Sequence, residues 1–87
     1  MAPWAGHKLL AICDNVATIL GIELLVAAHA LDCQRPLRTT APLEALHAEL
    51  RRHVPFQPRD HRLDGDIRAA AALVESGVVA GLLHARA

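Results

Sequence analysis

Residues 5–33 read AGHKLLAICDNVATILGIELLVAAHALDC, a stretch without proline between Pro3 and Pro36 and with Gly21 as the weak point of its interior. The run predicts one long helix over about 5–33. Pro3 suits its opening turn, where a missing N–H costs least. Pro36 ends it by pushing Arg35 out of the α region. Gly21 should cost about 1 kcal/mol relative to alanine. At about 100° per residue, Leu9, Leu10, Ile12, Val16, Ile19, Leu20, Leu24, Val26 and Leu31 cover well over half of the circumference. Polar His7, Asp14, Asn15, Thr18, His29 and Asp32 gather on a narrow arc, itself broken by Ile22 and Leu25. A helix apolar over most of its surface is normally enclosed on several sides. Each large aliphatic side chain left in water forgoes about 1.5–3 kcal/mol. The rest of an 87-residue chain cannot cover them all, so self-association or a further partner is expected.

Two shorter helices follow. One is expected over about 41–53, capped by the Thr40 hydroxyl with Pro42 in its first turn and stopped by Pro55. Leu43, Leu46, Leu50 and Val54 form its apolar stripe, and Glu44, Glu49, Arg51 and Arg52 its solvated side. The stretch from Phe56 to Leu63, with Pro58, Arg59, Asp60, His61 and Arg62, reads as an irregular connector. The last helix is expected over about 65–76, with Asp64 as N-cap, Asp66 in the field of the dipole and Ile67, Ala70, Ala71 and Val74 facing the core. Gly77 is a natural residue to follow its end. Val78 to Leu83 is a short apolar tail with room for another helical turn. The fold class is therefore all-α, one long and two shorter helices in an oligomeric helical bundle.

Composition narrows the function. Hydrophobic residues are 53% of the chain but aromatics only 2%, Trp4 and Phe56, so the apolar mass is aliphatic and helix-forming. Nine basic residues balance nine acidic ones, which removes the polyelectrolyte signature of nucleic-acid binding. Charged residues at 21% and a mean hydropathy of +0.25 argue against disorder. Cys13 and Cys33 share one helix about 30 Å apart, far beyond disulfide reach, and are expected as buried free thiols in a reducing cytoplasm. No charged segment precedes the apolar run as in a secretory leader. The apolar stretch Val16–Leu31 is short for a membrane span and carries Glu23 at its middle, so no membrane role is expected.

Candidate chemistry is sparse. Glu44 and His47 form a Glu-x-x-His pair at the spacing of di-iron bundles, but no second copy exists and the pair sits among charges. His7, His29, His53, His61 and His84 show no ligand spacing. Asp64-Gly65-Asp66 lacks the alternating ligands of a calcium loop and reads as a helix cap. No phosphate-binding glycine loop, Cys-x-x-Cys or nucleophile elbow occurs, and no nucleophile has a base. Metal binding and catalysis are therefore not expected, and no catalytic, cofactor-binding or metal residue is assigned. Glu23 alone breaks a local rule, for it points into the apolar arc. It is expected either to pair with Arg or Lys of another segment or chain, or to reach an exposed edge.

Taken together, Met1-Ala-Pro-Trp-Ala-Gly-His-Lys-Leu9, Ile22-Glu23-Leu24-Leu25, Ala27-Ala28-His29-Ala30-Leu31-Asp32, Leu37-Arg38-Thr39-Thr40-Ala41-Pro42-Leu43-Glu44 and Asp66-Ile67 with Leu73-Val74-Glu75-Ser76-Gly77 resemble, in order, the C-terminal part of the histidine ammonia-lyase family. Asp60-His61-Arg62-Leu63 departs from that family's Asp-Arg-aromatic run, and Gly65 replaces a common proline. The resemblance implies a large all-α, cytoplasmic homotetramer of histidine catabolism, whose long helices share a central bundle. It also implies conversion of L-histidine to urocanate and ammonia by a methylidene-imidazolone formed from an Ala-Ser-Gly tripeptide. This chain contains no Ala-Ser-Gly and no tyrosine. It is thus expected to be catalytically silent alone, with no cofactor in this segment, and to act as a homo-oligomer or with the remainder of a lyase subunit. A truncated gene, a displaced start and a separately encoded remnant would each account for its length. A stand-alone helical adaptor without lyase activity is the rival expectation. The resemblance also implies that Ala2 to Lys8, at the N-terminus of the long helix, border an active site built by other segments.

Overall fold

A computed structural model of the chain describes residues 2–57 and 62–85, which form the helices α1 (Ala2–Cys33), α2 (Ala41–His53), α3 (Asp64–Glu75) and α4 (Val78–Ala85). No strand occurs among the described residues, so the chain is all-α. Much of the expected connector, Pro58 to His61, lies outside the described residues. Four helices rather than three arise because the apolar tail completes a helix of its own. Gly77 separates it from α3 with φ +85°, the left-handed conformation that glycine adopts freely. Ser76 ends α3 with its Oγ donating to the Leu73 carbonyl at 2.6 Å. The axes of α3 and α4 then differ by 55°.

α3 lies along the middle of α1, and their contact is backbone-close at Gly21. A Cβ built there would stand 2.8 Å from the Ala71 nitrogen and 3.2 Å from the Ala70 carbonyl carbon. The glycine that looked like a propensity defect is the point at which two helices touch. Ala17, Ala28 and Ala70 are buried around it, small residues that keep the crossing tight. Ala28, Leu50, Val54, Ala70 and Leu73 make up the core, flanked by Leu24, Leu25, Ala69 and Val79. Leu46 and Leu50 come from the expected stripe of α2, whereas Leu43 stays exposed. Leu73, absent from the expected face of α3, is buried.

Two caps differ from expectation. Thr40 occupies the N-cap of α2 without a side-chain hydrogen bond, Pro42 having removed one of the two N–H groups it could cap, and the Glu44 carboxylate reaches back to accept the Thr39 N–H at 3.0 Å. Leu63, not Asp64, is the N-cap of α3, and Asp64 sits in the first turn within 2.8 Å of Arg62. Its charge there still meets the positive end of the dipole.

This core covers little of α1. The molecule measures 54 × 35 × 16 Å, and its thinnest dimension is less than two helix diameters. Its radius of gyration is 14.8 Å, against about 12 Å for a compact chain of this length. Trp4, Leu9, Leu10, Ile12, Val16, Ile19, Leu20, Ile22 and Val26 all remain exposed. Cys13 and Cys33 are exposed free thiols, contrary to the expected burial, because α3 covers a single stripe of α1. The apolar helix is also longer than the Val16–Leu31 stretch that was expected to be too short for a membrane span. Trp4–Cys33 is long and apolar enough to cross one, and α3 with α4 would pass as a second, bent span.

Candidate functional site

The polar side chains concentrate at the corner where α1 hands over to α2. Asp32, in the last turn of α1, projects toward the α2 face that carries His47 and Arg51, one turn apart. Arg51 donates from Nη2 and Nε to Asp32 Oδ2 at 2.6 and 3.0 Å, and its Nη1 donates to the Val54 carbonyl at 3.0 Å. His47 Nε2 stands 2.8 Å from Asp32 Oδ1 and is the donor there, since an ionised carboxylate only accepts. Burial alone would raise the Asp32 carboxyl, but the hydrogen bonds from Arg51 and His47 hold it below its ordinary value. All three side chains are largely buried.

A second clamp closes the turn. Arg35 grips Glu44 with two parallel bonds of 2.9 and 2.8 Å, and Arg38 adds a third at 3.0 Å. The Arg35 guanidinium, then the Thr39 N–H, hold the Glu44 carboxyl down at about 2. Beyond the corner, Phe56 stacks on His29 at 5.7 Å between ring centroids, and the Arg51 guanidinium lies 5.5 Å from the Phe56 ring centre.

This arrangement fastens helices. Every acceptor at the corner faces a donor, and no Ser, Thr or Cys stands with a base in these contacts. Glu44 and His47 face different partners, Arg35 with Arg38 and Asp32 respectively, and not one another. Among the described residues no group of three or more His, Cys, Asp or Glu is placed to hold a metal. Glu44 and Arg51, expected as solvated, are drawn inward by these pairs. Sequence reasoning missed the Asp32–His47–Arg51 buckle because its partners lie 15 and 19 residues apart. Its one available signal was an acid at the end of the first helix, followed by a His and an Arg at i, i+4 on the next.

Three open apolar grooves also run along α1. One, of about 270 Å³, runs between α1 and α2 and is lined by Leu24, Ala27, Leu31, Leu43, Leu46 and His47 among others. A second, of about 250 Å³, lies between Ile22, Val26 and His29 of α1 and Leu63 and Ile67. A third, of about 300 Å³, opens between Ile12, Val16 and Leu20 of α1 and Val74 of α3. Their lining is almost wholly aliphatic, the chemistry of helix packing rather than of small-molecule recognition. Glu23 stands exposed, and none of the described side chains pairs with it.

This architecture has relatives. The family model for aromatic amino acid lyase matches residues 1–52, which take in α1, the clamped corner and nearly all of α2. The chain belongs to the aromatic amino acid lyase family. It is 49% identical over 76 residues to a protein named histidine ammonia-lyase from Bradyrhizobium diazoefficiens, a stretch that takes in 87% of this chain and 15% of that relative. This lyase-family chain therefore spans about a seventh of the length of the curated relative it matches. No solved structure matches it. The second stretch of identity must run past residue 52, so the likeness extends beyond α2 toward α3.

Proposed function

We propose that this chain works as the helical scaffold of a histidine ammonia-lyase, of the kind that such an enzyme carries near its C-terminus. In this reading α1 gathers other lyase helices around it, and α2 and α3 hold α1 at a fixed angle. The observation that carries it is the combination of 49% identity to a histidine ammonia-lyase with a long helix whose apolar faces its own chain leaves open. The surface that covers α1 is protein rather than lipid, because Lys8, Asp14 and Glu23 interrupt its length and would lie unpaired in hydrocarbon. The chain supplies no electrophile precursor and no tyrosine. The methylidene-imidazolone does not fit any residues present here, and the reaction, L-histidine to urocanate and ammonia, belongs to segments outside this sequence. The reading places the chain in the cytoplasm, in an oligomer.

A chimera tests this directly. The matching segment of the Bradyrhizobium diazoefficiens enzyme is replaced by this chain, and urocanate is followed by its ultraviolet absorbance. The chimera should form urocanate from L-histidine, while the purified 87-residue chain should form none. A folded but inactive chimera would move the reading to a stand-alone adaptor, and turnover by the chain alone would refute the assignment of chemistry elsewhere.

A further inference from the structure

Within the wide exposed surface of α1, one face carries its own charge pattern. At about 100° per residue, Lys8, Ile12, Val16, Ile19, Glu23 and Val26 fall within about 80° of arc. That arc lies roughly opposite Gly21 and Ala17, which α3 covers. Ile12, Val16, Ile19 and Val26 are 50, 48, 56 and 65% exposed, and both charged residues are exposed. Lys8 Nζ lies 5.5 Å from the centre of the Trp4 ring, a weak interaction when solvated, and forms no ion pair among the described residues. The face thus holds one cation and one anion, about 22 Å apart along the helix, with aliphatic side chains between them.

We propose that this face receives the same helix from a second copy of the chain, running antiparallel, with Lys8 of each copy against Glu23 of the other. The inference rests on the reading of α1 as an association helix and adds its direction, register and ion pair. A two-fold axis between Asn15 and Val16 places each residue opposite its mirror position in the sequence. Ile12 then meets Ile19, Ala5 meets Val26, and Lys8 meets Glu23, each twice. A parallel, in-register pair would instead set Glu23 against Glu23 and Lys8 against Lys8 while water is being excluded. The apparent anomaly of a carboxylate in an apolar arc becomes the device that selects orientation, as polar residues do in helical seams.

Sedimentation equilibrium of the full chain over a range of concentrations tests the pairing, with circular dichroism as the check on helicity. The wild-type chain should self-associate. Lys8→Glu and Glu23→Lys should each weaken association about a hundredfold, tenfold for each of the two pairs turned repulsive. The double reversal should recover it to within about threefold. In a Cys13→Ser, Cys33→Ser background, Asn15→Cys should oxidise to a cross-linked dimer, whereas Val26→Cys should not, since only the former lies at the two-fold axis. Association indifferent to the reversals, or cross-linking at position 26, would overturn the pairing and leave the scaffold reading standing. A wild-type chain that stays monomeric at every concentration, or that binds lipid vesicles in place of itself, would overturn the pairing and the association reading together.

Discussion

Replacing Gly21 by alanine sets two effects of similar size against each other. Within an exposed helix the change should gain about 1 kcal/mol from propensity alone. Here the added Cβ would stand 2.8 Å from the Ala71 nitrogen and 3.2 Å from both the Ala70 carbonyl carbon and the Ala71 Cα. Ordinary contact between such atoms needs about 3.5–4.0 Å, so α3 must retreat by roughly half an ångström or more. What it meets is backbone, which cannot swing aside as a side chain would. Overpacking of this kind costs about 1–3 kcal/mol. The retreat also loosens Ala70 and Leu73, both buried on the same side of α3. The net expectation is a loss of up to about 2 kcal/mol, or a melting temperature lower by up to about 15 °C for a chain of this size. Gly6 is the control, since a Cβ there meets nothing within 4 Å, and Gly6→Ala should hold or raise the melting temperature. The assay is thermal unfolding by far-ultraviolet circular dichroism at one fixed protein concentration, because association shifts the midpoint. A Gly21→Ala chain that melts higher, as Gly6→Ala should, would refute the backbone-close crossing.

Leu50 is fully buried, so Leu50→Ala should cost about 2–5 kcal/mol in urea unfolding, while Leu37→Ala at a 70% exposed position should change stability by less than about 0.5 kcal/mol. Gly77 has φ +85° with open space around it, so Gly77→Ala should cost about 1–2 kcal/mol through backbone strain alone, with Gly77→Asn costing less in the same measurement. The Glu44 carboxyl is held at about 2, below its ordinary 4.5. Its contribution is therefore complete above about pH 4.5 and is lost as pH falls toward 2. Melting temperatures recorded across that window should fall more steeply for the wild type than for Glu44→Gln, and superimposable slopes would contradict the clamp.

What sequence shows here is punctuation, and what it hides is meeting. The extent of α1 is legible because Pro3 and Pro36 bracket a run of good helix formers, and Gly77 is legible because the end of a helix asks for a left-handed residue. The family resemblance is legible because motifs spread along the chain keep their order. Gly21 shows the limit. As a residue of α1 it is a defect, and its purpose exists only once Ala70 and Ala71 are beside it. Thr40 and Asp64 show another, since a residue able to cap a helix need not do so: Thr40 makes no side-chain cap bond, and α3 starts one residue early so that Asp64 falls inside its first turn. The buckle at Asp32 was hidden because helical periodicity ranks residues by face and says nothing of which charge on one helix finds which on the next. The thiols were misplaced for a related reason. Periodicity reported that α1 wants enclosure, and burial was inferred from the want rather than from the helices available to satisfy it.

The buckle has a mechanical consequence. One carboxylate at the tip of α1 is tied to two points a turn apart on α2, so the joint has no free swivel. A neighbour that twists α1 about its long axis must carry α2 round with it, and the short turn between them works as a crank rather than a hinge.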